Sequence, residues 1–171
     1  MFERCNSRTI THLNFAIAAG LLFASLSARA DSALISITGI KPEAVQFSID
    51  DLKQLPTRHA QVVSEDGKPA DYECVAAGAV LQKAGAAMGT EIRGKRLADY
   101  LLVTAADGYR AVFALPELDP EFTDRAVLLC FARDGAPVST AEGPLRLVVP
   151  QEKRHARWMR QVKEFALRTD R

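Results

Sequence analysis

The C-terminal part of the chain carries an excess of basic residues that could bind an anion. From residue 146 onward, Glu152, Glu164 and Asp170 oppose eight basic residues: Arg146, Lys153, Arg154, Arg157, Arg160, Lys163, Arg168 and Arg171. Guanidinium groups match the geometry of phosphate with paired hydrogen bonds. The spacing of Lys153, Arg157 and Arg160 would place them on one face of a short helix. The group could therefore bind a phosphorylated cofactor or an acidic partner; a solvated helix face is the alternative.

Arg146 follows Gly143-Pro144-Leu145 and precedes an apolar run. Because Gly-Pro fixes a rigid approach to the strand, we expect Arg146 to emerge at the beginning of the strand, beside the loop, where it can bind a ligand. An exposed structural arginine is the other interpretation. Nearby Trp158 is predicted to pack in the core rather than to stack on a ligand.

The sequence gives little indication of metal-dependent, nucleophilic or nucleotide-dependent catalysis. His59 and His155 lie far apart without a Cys or His companion at ligand spacing, so no zinc or haem site is predicted. The chain has no Gly-x-Ser-x-Gly motif and no glycine-rich phosphate loop.

The N-terminal residues have the pattern of an export signal. Arg4 and Arg8 precede an apolar run from Phe15 to Leu26, and small residues follow up to Ala30. About 12 apolar residues are too few for a bilayer-spanning helix, which needs roughly 20. We therefore expect residues 1–30 to be a signal peptide cleaved after Ala30, residues 31–171 to form a single domain, and the mature protein to be periplasmic.

Composition places the chain among ordinary globular proteins. It has 171 residues, of which 48% are hydrophobic and 25% charged, and this balance excludes disordered, collagen-like and coiled-coil classes. The net charge of +1 becomes −1 without residues 1–30, which contain three of 22 basic and one of 21 acidic residues. Neither value predicts a nucleic-acid partner or, after signal cleavage, a membrane partner. Cys74 and Cys130 would then remain, either as a disulfide or as two buried thiols.

The pattern along the chain predicts strands joined mainly by hairpins. Asp66-Gly67, Asp107-Gly108 and Asp134-Gly135 each separate two strand-like runs and are typical of tight turns. The strand-like runs are 34–40, 45–49, 61–64, 70–73, 101–105, 109–115, 127–133 with Val138 beyond its turn, 145–149 and 161–167. The fold class predicted is therefore α+β, with mixed or mostly antiparallel sheets.

Helices are predicted at three places. Residues 75–85 place Ala77, Val80, Leu81 and Ala84 on one apolar stripe, and Gly85 or Gly89 can end this helix. Asp50-Asp51 can cap a short helix that stops before Pro56. Another short helix is predicted from Pro150 to about Met159.

Several motifs in this order resemble a known family. They are Tyr72-Glu73-Cys74-Val75, Lys83-Ala84-Gly85, Ala106-Asp107-Gly108-Tyr109, Leu115-Pro116-Glu117-Leu118, the stretch 132–138, the stretch 143–150 and Arg157-Trp158-Met159. Across residues 34–168 they resemble the oxidoreductase molybdopterin-binding domain, the sulfite-oxidase-like fold, in its small exported form.

This resemblance implies a mixed α/β domain that holds a molybdenum cofactor through its pterin and phosphate. The residues expected to line that cleft are Arg146, Asp107, Tyr109, Lys153, Arg154 and Arg157. Family members ligate the metal with a cysteine in a stretch equivalent to Ala60–Ser64, where this chain has none. We therefore expect no metal ligand and no catalytic residue, and a degenerate domain that binds an anionic small molecule or a partner. The alternative is a minimal molybdopterin-dependent oxidoreductase acting on a small oxyanion or oxidised substrate, with a periplasmic redox partner.

Overall fold

The computed structural model describes residues 34–169, which form two sheets and two α-helices. The strands are β1 Ile35–Thr38, β2 Val45–Phe47, β3 Thr57–Val63, β4 Pro69–Ala76, β5 Tyr100–Ala105, β6 Arg110–Ala114, β7 Leu128–Arg133, β8 Ala136–Pro137, β9 Arg146–Val148 and β10 Val162–Arg168. The helices are α1 Ile49–Lys53 and α2 Ala77–Ala84. The predicted α+β class is confirmed; the expected signal peptide lies outside the described residues.

The first sheet has the strand order β2-β1-β10-β5-β6, and the second has the order β3-β4-β7-β8 with β9 also paired to β7. β1 and β10 run parallel, whereas the other pairs are antiparallel. A single cluster of buried side chains draws on both sheets and on α2. Phe165 and Leu101 come from the first sheet, Leu129 from the second and Leu81 from the helix.

All three Asp-Gly pairs lie in turns between paired strands, as predicted. The β7–β8 turn has positive φ at both Asp134 and Gly135, the backbone form that an Asp-Gly hairpin turn favours. In the other two turns the positive φ falls on the glycines, Gly67 and Gly108. The third hairpin has the fewest paired residues, because β8 is only two residues long.

Helix α2 begins later than the apolar stripe predicted, because residues through Ala76 continue β4. Gly85 ends the helix in a left-handed conformation, one of the two endings expected. Helix α1 is also present, but its N-cap is Ser48 rather than the aspartate pair. Asp51, three residues later, completes a capping box with Ser48, so the acidic side chain supports the first turn from inside the helix.

The two remaining cysteines form a disulfide. Cys74 on β4 faces Cys130 on the neighbouring β7, and the Sγ atoms are bonded at 2.02 Å. Both residues are fully buried. Of the two states that the sequence left open, the structure therefore has the bridge.

The helix predicted from Pro150 to Met159 is wrong. This segment is a loop with one short 3₁₀ turn at His155–Arg157. The loop is fixed by side chains instead of helical hydrogen bonds: Trp158 is buried, and its indole N–H donates to the Val149 carbonyl oxygen at 2.9 Å. Trp158 is thus a core residue, as predicted.

Within residues 34–169, no helix is long and apolar enough to cross a membrane.

Candidate anion-binding site

Three arginines and two glutamates alternate in space, and we call this set the Arg–Glu chain. Its order is Arg133, Glu142, Arg146, Glu65 and Arg160. Glu142 Oε2 lies 3.4 Å from Arg133 Nη1, and Glu142 Oε1 lies 2.6 Å from Arg146 Nη1. Glu65 Oε1 accepts a hydrogen bond from Arg146 Nη2 at 3.2 Å, and Glu65 Oε2 accepts one from Arg160. Each glutamate therefore bridges two cations.

Strand pairing brings these residues together from distant parts of the sequence. Arg133 ends β7, Arg146 begins β9, which pairs with β7, and Glu142 lies in the loop between β8 and β9. Glu65 lies in the β3–β4 turn, and Arg160 lies two residues before the start of β10. Arg146 begins a strand after the cis Gly143–Pro144 peptide, in agreement with the expected position.

Arg146 is buried completely, which differs from the expected emergence beside the loop. Its guanidinium lies near the Tyr72 ring, with Cζ 5.7 Å from the ring centre, and Arg133 Cζ lies 5.6 Å from the same centre. Arg146 Nε and Tyr72 Oη are buried without a hydrogen-bond partner among the described residues. Buried polar atoms of this kind are costly unless something satisfies them, so the surroundings of Arg146, at the middle of the Arg–Glu chain, offer unused donors.

Arg157 belongs to a different cluster, on the side of β6. Its Nε donates to Glu152 Oε1 at 2.7 Å and its Nη1 donates to Glu117 Oε2 at 3.3 Å. The guanidinium also lies 4.3 Å from the centre of the Phe113 ring. Burial lowers the pKa of Arg157, but the two glutamates outweigh burial and raise it overall. A cation held this way has little capacity left for a ligand phosphate.

The expected helical face of Lys153, Arg157 and Arg160 does not exist, because the segment is a loop. Lys153 and Arg154 are exposed on that loop. Arg160 joins the Arg–Glu chain, where the hydrogen bond and attraction from Glu65 raise its pKa.

Asp107 and Tyr109 lie in the β5–β6 turn, next to this loop. Asp107 Oδ1 accepts a hydrogen bond from the Tyr109 backbone N–H at 2.8 Å, and the half-exposed Tyr109 donates its hydroxyl to the Ala156 carbonyl oxygen. The Ala106 N–H donates to the Gln161 carbonyl, and the Gln161 N–H donates to the Glu142 carbonyl. The turn is thus linked to the Arg–Glu chain by backbone hydrogen bonds through Gln161.

Glu65, Glu142, Arg133 and Tyr72 are the functional candidates that the sequence reasoning missed. Arg133 and Tyr72 do lie in the motifs of the family resemblance. Glu65 precedes the first Asp-Gly turn, and its separation of 81 residues from Arg146 leaves no local signal of their contact. The strand pairings alone could have indicated the neighbourhood.

The residues present do not fit a thiolate-ligated molybdenum. The Ala60–Ser64 stretch on and after β3 offers no sulfur, and the thiols of Cys74 and Cys130 are consumed in their buried disulfide. Among the described residues, no group of three His, Cys, Asp or Glu side chains is arranged to hold a metal ion.

No protein-family model and no curated protein matches the chain. Among solved structures, the sulfane dehydrogenase SoxCD from Paracoccus pantotrophus is similar, with a TM-score of 0.58 and 18% identity. The match covers 78% of this chain and 37% of that one, so this chain spans little more than a third of the solved chain's length. This likeness shows the fold, which is α+β and sulfite-oxidase-like as the sequence resemblance implied.

Proposed function

We propose that this protein is an exported, periplasmic domain of the sulfite-oxidase-like fold that binds a small anion at the Arg–Glu chain without using a metal. One observation carries the proposal. The buried Arg146 guanidinium already binds a carboxylate together with Arg160, while Arg146 Nε and Tyr72 Oη have no hydrogen-bond partner among the described residues. Such a cluster recognises a two-oxygen anion through charge-assisted hydrogen bonds.

Calorimetric titration of the purified protein with sodium acetate and with inorganic sulfate tests this function. Arg160→Gln is the informative variant, because Arg160 is half-exposed and its loss spares the core. Arg146→Ala would be a poor first choice, since it empties a buried position. Arg168→Gln, exposed on β10, is the matched control. We expect Arg160→Gln to weaken binding and Arg168→Gln to leave it unchanged; no binding by the unaltered protein would refute the proposal.

The second candidate is a minimal molybdopterin-dependent oxidoreductase, acting on a small oxyanion or oxidised substrate with a periplasmic redox partner. The likeness to a sulfane dehydrogenase favours it, and the missing thiolate counts against it. Elemental analysis of protein purified from its native cells separates the two. Stoichiometric molybdenum together with pterin fluorescence would refute the metal-free proposal, whereas their absence would contradict the oxidoreductase.

Export is tested on the same preparation by mass spectrometry. A mature protein that begins at Asp31 supports a periplasmic location, which agrees with a disulfide-bonded core. An intact Met1 on a cytoplasmic protein would contradict it.

A further inference from the structure

The two glutamates of the Arg–Glu chain are anchored differently. The backbone N–H of Glu142 donates to the Ser139 carbonyl oxygen, and its carbonyl oxygen accepts from the Gln161 N–H. Its side chain is 18% exposed. Glu142 is therefore fixed within the fold, as a permanent counter-ion of Arg146 and Arg133.

Glu65 instead projects from the tip of a hairpin. The turn is closed by hydrogen bonds from Ser64 N–H to the Lys68 carbonyl and from Gly67 N–H to the Ser64 carbonyl, and neither involves Glu65. The Glu65 side chain is 32% exposed. A change of its rotamer can withdraw the carboxylate without breaking these two hydrogen bonds.

The withdrawal would uncover a cationic recess. The counter-ions remaining near the three arginines would then be Glu142 and the two exposed aspartates that flank Arg133, Asp66 and Asp134. Arg146 Nη2 and Arg160 would lose their acceptor, beside the already unsatisfied Arg146 Nε and Tyr72 Oη. Leaving so many buried or partly buried donors empty is unfavourable, so another carboxylate should take the place of Glu65.

We propose that Glu65 is an intramolecular stand-in for the ligand, and that the ligand is a small carboxylate that displaces it from Arg146 and Arg160. This inference rests on the proposed function and names its ligand class and its regulation. The Glu65 turn then sets the apparent affinity, because a ligand binds only the fraction of molecules in which the recess is open.

The test compares acetate binding by the unaltered protein, Glu65→Gln and Glu43→Gln. Glu65→Gln keeps the shape of the side chain and removes its charge. Glu43→Gln makes the same chemical change at an exposed position between β1 and β2, outside the Arg–Glu chain and the Glu65 turn. Binding is measured by calorimetry and by the ¹H–¹⁵N NMR signal of the Arg146 Nε–H, in a fixed chloride background.

We expect Glu65→Gln to bind acetate about tenfold more tightly, as follows if Glu65 fills the recess about 90% of the time. Glu43→Gln should match the unaltered protein, and Glu65→Gln/Arg160→Gln should lose the gain. Equal affinity in Glu65→Gln and the unaltered protein would overturn the displacement of Glu65 by the ligand, but not the proposed anion site. An equal gain in Glu43→Gln would overturn it too, because net charge would then explain the effect.

No acetate binding by any variant would overturn both this inference and the carboxylate part of the proposed function. Thermal unfolding of each variant checks that it is folded. If Glu65→Gln is not folded, Glu65→Ala takes its place with the same expected gain.

Discussion

Removing the Cys74–Cys130 disulfide should lower stability sharply. The bridge joins residues 56 positions apart and links the central strands β4 and β7 of the second sheet. Two forms without it can be compared: the reduced protein, which keeps both sulfur atoms, and the Cys74→Ala/Cys130→Ala variant, which also loses their packing.

The size of the effect follows from the loop that the bridge closes. Restricting the unfolded chain over a separation of 56 residues stabilises the native state by about 4 kcal/mol in the chain-entropy description. With a urea dependence of about 2 kcal/mol per molar for a domain of this size, the unfolding midpoint should fall by about 2 M. The alanine variant should fall somewhat further, because each truncation of a buried side chain leaves a cavity.

Urea unfolding followed by circular dichroism, with and without reductant, measures this shift. Both cysteines are fully buried, so reduction under native conditions should be slow, and the reduced sample should be prepared by refolding in reductant. A reduced protein whose midpoint lies within about 0.3 M of the oxidised one would refute the reasoning, because the expected shift is about 2 M. A loss in the alanine variant alone would assign the effect to packing and would refute the loop-closure estimate.

Three further changes test a packing contact of α2 and two arginine clusters. Gly78→Ala should cost about 2 kcal/mol in thermal unfolding, because an added Cβ would lie 2.2 Å from the Leu118 carbonyl oxygen, and this clash outweighs the helix propensity gained; equal or higher stability would contradict the contact. Arg157→Ala should cost about 1–2 kcal/mol, since two part-exposed ion pairs and a ring contact are lost, whereas exposed Arg154→Ala should change stability by less than about 0.5 kcal/mol. Equal losses in these two variants would contradict the assigned contacts. Arg146→Met should cost about 3 kcal/mol and abolish acetate binding, because buried pairs are costly to break; intact binding in calorimetry would remove Arg146 from the site.

Local signals in the sequence predicted the fold class and the hairpin turns. Asp-Gly pairs fixed the positions of all three hairpin turns, because few residues other than glycine adopt positive φ without strain. The apolar stripe of α2 and the end of this helix at Gly85 were also predicted from the sequence. The helix expected after Pro150 failed because its basic periodicity had no apolar stripe to bury, and Trp158 and Arg157 fix the segment as a loop instead.

The site was harder to predict, for a different physical reason. Arg146 and Arg157 each have one counter-ion nearby in the sequence, Glu142 and Glu152 respectively. The second counter-ion of each comes from a distant part of the chain, Glu65 for Arg146 and Glu117 for Arg157. Whether an arginine is a free cation or half of a pair depends on strand order and register. Those are set by non-local contacts, which periodicity does not report.

The pairing of the arginines with glutamates changes the physical basis expected for anion binding. A free cluster of eight basic residues would attract any anion, and its binding would fall steeply with salt. In the Arg–Glu chain the cations already have carboxylate partners, so an incoming anion gains only the difference between its contacts and those of Glu65. Chloride, which has a single atom to offer, cannot span Arg146 and Arg160 as Glu65 does, whereas a carboxylate can. The proposed site, whose arginines already have carboxylate partners, should therefore select for the shape of the anion, and we expect its selectivity to depend on Glu65 as much as on the arginines.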